Sequence, residues 1–334
     1  SRSVAEQIRL VLSPERARLL TGARSVDPKA LDLYLSGVQH LNRFTLADAQ
    51  RAVELFQASM AADPGLAPAY EGLARAYLYL TNDLWFMSPE EALPKMREAA
   101  SRALELDGTL AEARALLARA HWYGEFDWVE TEVLMSEALA LEPMNVHAID
   151  AFSWFLQCSG RLEEGLELMK RAVAADPLNP VVRQDFGWRL HTARRFRRAI
   201  EEGNRIIERN PGFAAAYSLV GSSYLLLGDP EAAYTAFKRS DELSGLPTWY
   251  LDTADRGYEE GGLRGAAREL LPAIREHHDR NISHGMRAEI ACMGEKPEEA
   301  LVELNHALRK RDPRIVSLGV RPLLDCVRSE PGDQ

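Results

Sequence analysis

Apolar side chains recur along this chain in steps of three and four, which predicts amphipathic helices, and the helices come in pairs. In the clearest pair, 146–179, Ile149, Phe152 and Leu156 mark one helix and Leu166, Met169 and Ala172 its partner. Ser159-Gly160 stands between them and accepts the left-handed conformation that ends a helix, so the pair is a hairpin. The pair at 180–213 repeats the layout with Phe186-Gly187, Leu190, Ala199, Gly203 and Ile206, and the pair at 214–247 with Tyr217, Val220-Gly221, Tyr224, Gly228, Ala233 and Phe237. Helix-ending Glu142-Pro143, Asp176-Pro177 and Asn210-Pro211 fall 34 residues apart; Gly108 precedes Pro143 by 35 and Gly245 follows Pro211 by 34. The earlier units are less regular: Leu33, Gly37, Ala52, Phe56 and Pro64, then Tyr70, Leu73, Ala74, Tyr77, Ala100 and Ala103, then Leu117, Ala118, His121, Asp127-Trp128 and Ala138. An insert at 81–89 containing Trp85-Phe86-Met87 stretches the second of these. After Thr248 the pattern weakens through Leu251, Ala254, Tyr258, Gly261-Gly262, Ala267 and Leu271, and it closes with Ala288, Ala300, Leu304 and Ala307. About eight hairpins are predicted between residues 27 and 313.

A single hairpin exposes an apolar face it cannot bury, so stability has to come from stacking. A period of this length, with the 214–247 unit matching the family pattern of Trp, Leu, Gly, Tyr, Ala, Phe and Pro positions, resembles the tetratricopeptide repeat (TPR) family. That resemblance implies an all-α solenoid, a right-handed superhelix of about eight repeats whose concave wall is the usual binding surface. The expected organisation is a helical cap or linker at 1–26, the superhelix at 27–313, and a cap and tail at 314–334. Pro313-Arg314 and Arg321-Pro322 predict an irregular end and not a ninth hairpin.

A narrower resemblance rests on Ala5-Glu6-Gln7-Ile8-Arg9, Leu12-Ser13-Pro14-Glu15, 30–37, Phe126-Asp127-Trp128, Asp185-Phe186-Gly187-Trp188, Ala193-Arg194-Arg195-Phe196, Arg311-Asp312-Pro313, Leu323-Leu324-Asp325 and 328–331. In this order the motifs are similar to the carboxy-terminal TPR array of bacterial winged-helix regulators (CadC- and OmpR-like), adenylate cyclases or serine/threonine kinases. The resemblance implies a non-catalytic sensing or regulatory part of a signalling protein, a scaffold involved in signal transduction or transcription regulation. Its output domain is not in this sequence. The start inside an amphipathic pattern (Val4, Ile8, Leu10, Val11, Leu12) suggests a piece of a longer protein.

In a TPR hairpin, positions 2, 5, 9, 12 and 13 of the first helix face the groove, because these offsets return to one side of a helix. They give the candidate partner-binding residues Arg75; Arg119, Trp122 and Tyr123; His147, Asp150, Trp154 and Gln157; and Trp188 and His191. The aromatic members could anchor an extended peptide, or pack between helices and merely tighten the stack. Position 5 reads Tyr34, Glu71, Ala115, Asp150, Gln184 and Ser218. The Lys-Asn-Arg clamp with which chaperone-tail TPR domains hold a terminal carboxylate is therefore absent. Arg194 to Arg198 surround a predicted turn, where they can hold an acidic partner or answer Glu201, Glu202 and Glu208 in solvent. Trp85-Phe86-Met87 is a second candidate contact, for a partner or for self-association, unless it folds back on its own repeat.

Composition narrows the partner class. The formal net charge is −10. A duplex nucleic acid, which demands a basic face, is a poor partner, and a protein or peptide fits better. Self-association, or a small ligand on the aromatic wall, are the alternatives. No apolar run is long enough to span a membrane, so no membrane insertion is expected. The expected compartment is the cytoplasm, or the periplasm if an upstream transmembrane helix precedes this region. Cys158, Cys292 and Cys326, an odd count without C-x-x-C, are expected to be reduced. His277, His278 and His284 lack a carboxylate or cysteine at ligand spacing, and no H-E-x-x-H, G-x-S-x-G or phosphate-binding loop occurs. No enzyme activity, metal or cofactor is expected.

Overall fold

The computed structural model describes residues 26–43, 45–83, 87–277 and 282–328. Nearly all of the expected cap at 1–26, together with Trp85, Phe86 and His278, lies outside the described residues. Regular structure among those described is entirely helical. The helices are α1 (Pro28–Leu41), α2 (Leu46–Ala62), α3 (Ala67–Leu78), α4 (Pro89–Leu106), α5 (Ala111–Glu125), α6 (Trp128–Leu141), α7 (Val146–Cys158) and α8 (Leu162–Ala175). They continue as α9 (Pro180–Thr192), α10 (Phe196–Arg209), α11 (Ala214–Leu226), α12 (Pro230–Ser244), α13 (Thr248–Glu276), α14 (His284–Met293) and α15 (Pro297–Arg309). Odd and even helices pair in sequence up to α12, and α14 pairs with α15. The seventh hairpin is α13 itself, broken at Gly261-Gly262, where Gly262 takes φ 63°. Its arms cross so closely that a Cβ on Gly265 would stand 2.1 Å from the Gly257 carbonyl oxygen. The predicted eight hairpins are thus present, stacked as a helical-hairpin solenoid.

The spacing has a local cause. At the first five passages from one hairpin to the next the chain makes the same turn, with an N–H reaching back three residues: Leu66 to Asp63, Leu110 to Asp107, Asn145 to Glu142, Asn179 to Asp176 and Phe213 to Asn210. Proline in four of these turns (glycine at 108) cannot continue the finished helix, and in two of them the Asn that follows caps the next one. Asn145 Oδ1 accepts from the Ala148 N–H, and Asn179 Oδ1 from the Val181 and Val182 N–H groups. From the third hairpin onward the turn inside each hairpin uses a left-handed residue: Phe126, Gly160, Arg194, Gly228, Gly262 and Glu295.

One apolar core runs through the first four hairpins, from Ala30 and Tyr34 through Phe56, Leu73, Met96 and Leu116 to Trp122 and Phe155. A second cluster runs from Ile149 through Leu166 and Phe186 to Leu219, and beyond α12 there are small clusters around Tyr250, Leu270 and Ile274 and around Leu271, Ala288 and Leu304. In the insert, α3 runs into a π-helical turn, Tyr79–Asp83, and Met87 folds back onto the first core, its N–H bonded to the Leu80 carbonyl.

The end of the described chain departs from a simple cap. Two 3₁₀ turns, Pro313–Ser317 and Pro322–Val327, rest on α14 and α15 and also cross to α5 and α11. Val316 enters the core of the first four hairpins. Cys292 and Cys326 form a disulfide, Cα to Cα 5.6 Å, which corrects the expectation that all three cysteines are reduced. Their separation of 34 residues brings the tail back onto α14. Cys158 alone stays free, and burial pushes its thiol up to about 12.

Candidate functional site

The first helices of successive hairpins line a continuous concave cavity of ≈ 2420 Å³. Arg75, Arg119, Tyr123, His147, Asp150, Trp154, Trp188 and His191 all border it. Offsets 2, 5 and 9 of the first helices supply Glu112, Ala115 and Arg119 from α5, His147, Asp150 and Trp154 from α7, and Val181, Gln184 and Trp188 from α9.

Offset 12 behaves differently. Trp122 is 0 % exposed, stacked on Tyr123 at 5.1 Å and meeting Phe155 of the next first helix edge-on at 5.3 Å. Gln157 is equally buried and donates from Nε2 to the Arg189 carbonyl. In the last turn the following hairpin lies over the helix, so the helical face that looks into the cavity at offset 9 is covered by offset 12. Trp122 and Gln157 therefore belong to packing between repeats and not to the wall, which corrects their assignment. Tyr123 and His191 border the cavity but are largely enclosed, at 2 % and 3 % exposure. The His191 ring sits 3.0 Å from the Ser223 hydroxyl and between Trp188 and Phe196, and burial lowers it to about 4.

Charged side chains on the wall are paired from one repeat to the next. Arg75 Nε lies 3.1 Å from Glu112 Oε1, Arg119 Nη2 lies 2.6 Å from Asp150 Oδ2, and Arg189 Nη2 lies 2.5 Å from Asp150 Oδ1. Asp150 on α7 is thus gripped from α5 and α9 at once. Burial pushes its carboxyl up, but the Arg189 and Arg119 guanidinium groups outweigh this and hold it below the usual carboxylate range. Glu112 is held down by Arg75 in the same way. Arg189 also places its guanidinium 4.7 Å from the centre of the Trp154 ring. These pairs fix the relative rotation of adjacent hairpins, and they leave a wall of alternating charge with aromatic faces between.

Three further wall residues come from the far end of the chain: Arg314, Arg321 and Glu289. Arg321 stands 6.0 Å over the Trp154 ring and pairs with Glu289 Oε1 at 2.8 Å, while Arg314 pairs with Oε2 at 3.1 Å. The sequence signalled only that Arg321-Pro322 is irregular, since no periodicity links α7 to the tail. The arginines at 194–198 divide: Arg194 pairs with Asp325 at 2.7 Å and Arg195 with Glu163 at 2.5 Å, both on the surface. Asp241, on α12, borders the cavity, and burial alone pushes its carboxyl up to about 7.

Among the described residues no group of three or more His, Cys, Asp or Glu is placed to hold an ion. His277 stacks on Trp249 at 4.0 Å, and His284 pairs with Glu303 at 2.8 Å. No helix among the described residues is long and apolar enough to cross a membrane.

No protein-family model matches the chain. A stretch of 135 residues is 28% identical to the transcriptional regulator HilA of Salmonella paratyphi A, covering 40% of this chain and 24% of that protein. HilA of Salmonella typhimurium matches over the same length at 27%. The chain therefore spans about a quarter of the length of the curated relatives it matches. Among solved structures, human IFIT1, as a dimer with m7Gppp-AAAA, superposes with TM-score 0.60 at 17% identity over 92% of this chain and 77% of that one. TTC0263, a TPR protein of Thermus thermophilus, superposes with TM-score 0.50 at 16% identity over 59% of this chain and 99% of that one. The fold is the TPR-type solenoid.

Proposed function

We propose that this chain is a protein-interaction module that holds an extended segment of a partner along its concave wall, as the sensing or regulatory part of a bacterial signalling protein. The observation that carries this reading is the continuous cavity bordered by the first helices of successive hairpins, with Trp154 and Trp188 on neighbouring repeats facing it. Aromatic faces contribute large contact area at small entropic cost, and the flanking charges fix register. The partial match to a transcriptional regulator supports the signalling context. Ligand binding would then bias an attached output domain, provided the ligand prefers one state of the array. The Cys292–Cys326 disulfide favours an oxidising compartment such as the periplasm for this part of the molecule.

A panel of labelled extended peptides, scored by fluorescence anisotropy, tests the reading. Binders should lose at least about tenfold in affinity on Trp154→Ala or Trp188→Ala, the loss expected of an anchor. Val133→Ala on the exposed face of α6 should leave them unchanged. A panel that binds all three variants equally, or none of them and not the wild type, would remove the groove as the binding surface.

A further inference from the structure

Resting on that reading of the wall, we propose that residues 311–328 are a built-in occupant of the groove, and that the partner segment displacing them presents an arginine to Trp154 and Glu289. The tail crosses the cavity from α15 to the opposite repeats. The Arg311 guanidinium donates to the Gly124 carbonyl at the end of α5, Val316 joins the first core, and Asp325 pairs with Arg194 after α9. Arg321 lies where these contacts converge, with its guanidinium over Trp154 on one side and bonded to Glu289 of α14 on the other. A side chain of the tail thereby bridges two walls that are otherwise separated by the cavity.

The chemistry of the filled place specifies what can replace the tail. The Glu289 side chain is only 13% exposed, and both its carboxylate oxygens take guanidinium N–H bonds, one from Arg321 and one from Arg314. Burial pushes that carboxyl up, and Arg321 and Arg314 outweigh it to hold it below the usual range. Removal of Arg321 leaves the buried Glu289 carboxylate with Arg314 alone and takes one of two guanidinium groups from the Trp154 ring, where Arg189 remains. A guanidinium satisfies both at once, because it is planar, stacks on an aromatic ring and offers several N–H donors, whereas an ammonium offers a point charge.

The hold on the tail is uneven. Towards α14 and α15 it is firm: Leu324 is buried, the Asp312 carboxylate accepts from the Gly285 N–H at 2.8 Å, and Cys326 is tied to Cys292. Towards the repeats Val316 is anchored in the first core, but beyond it the tail relies on Arg321 over Trp154 and on a surface pair, Arg194 and Asp325 being about half exposed. Cys326 is itself exposed, so the covalent tie is open to a dithiol reductant. Opening it consumes the dithiol as a disulfide and returns two cysteine thiols, leaving the stretch beyond Ser317 held only by non-covalent contacts.

The test uses the full chain and a labelled synthetic peptide copying residues 314–325, read by anisotropy. Occupancy by the chain's own Arg321 lowers the apparent affinity by the fraction of molecules in which the site is free. Arg321→Ala, and separately reduction of the wild type, should each tighten peptide binding at least about tenfold. Alanine in place of the peptide's second arginine should abolish that gain, and lysine should recover only part of it. Added peptide should also speed hydrogen exchange at 318–328 in the wild type, a sign of displacement that loss of folding would not produce only on titration. Equal affinity for oxidised, reduced and Arg321→Ala protein would overturn the proposal, as would indifference to the arginine. Should this peptide fail while panel peptides still depend on Trp188, the tail proposal falls and the groove reading stands. Failure of every peptide removes both.

Discussion

The first four hairpins and the last two are the same architecture held together by different forces. Between Ala30 and Phe155 one large apolar core passes from repeat to repeat, flanked by smaller clusters around Met135 and Ala103, with the Phe56 ring pressed against Gly37 and Gly72 of adjoining first helices. Beyond Thr248 the apolar clusters are small, and discrete links carry the stack: Arg275 to Glu299 and Glu303, His284 to Glu303, Arg268 to the Gly294 carbonyl, and the disulfide. A repeated apolar contact is encoded by periodic residues, whereas a polar or covalent link needs one particular pair. The first half is therefore regular in sequence and tolerant in detail; the second is irregular and depends on single side chains.

The largest effect should come from the first half. Phe56→Ala is expected to cost about 3–5 kcal/mol, since it empties a fully buried ring site that the flanking glycines cannot refill. Hydrogen exchange should show the loss across α1–α4 and spare α14 and α15; a uniform loss would contradict two separately held regions. Next, Cys292→Ser with Cys326→Ser should cost about 4 kcal/mol, the value for a closed loop of this length, confined to α13–α15 and the tail. Protection there that matches the wild type would show the disulfide to be dispensable.

Two groups on the wall between these regions give pH effects of opposite sign. His191 is lowered to about 4 by burial, so its contribution is complete above about 6.5 and is lost as pH falls towards 4, about 3 kcal/mol in all. His191→Gln should flatten the acid limb of a melting-temperature profile. Asp241 is raised to about 7 by burial, so its contribution is complete below about 3.8 and is lost as pH rises through 7. Asp241→Asn should therefore stabilise the protein above pH 7, by about 2 kcal/mol after allowance for partial exposure, and change nothing near pH 3. An unchanged profile for either variant would mean that the group is solvated. The smallest effect is expected at Arg194→Ala, below about 1 kcal/mol for an exposed pair, measured by urea denaturation.

What could be read from sequence follows the same division. The hairpins and their turns at Pro143, Pro177 and Pro211 were legible because each is set by residues close in the chain. Wall positions at offsets 2, 5 and 9 were legible for the same reason. Trp122 and Gln157 were misplaced because the residue that covers each, Phe155 or Arg189, belongs to the next hairpin, and helical geometry alone does not say where adjacent first helices converge. The tail was opaque for a stronger reason: its partners lie 131 residues away at Arg194 and 187 away at Gly124, beyond the reach of any repeat. The Cys292–Cys326 pairing was hidden by an odd cysteine count, which a single free Cys158 accounts for.

The central claim, that the concave wall is where a partner segment lies, is tested most directly by photo-crosslinking. A binding peptide carrying a benzophenone at each position in turn should attach to Asp150, Trp154, Gln184 and Trp188 and their neighbours on α5, α7 and α9. Attachment confined to the outward faces of α6, α8 and α10 would contradict it.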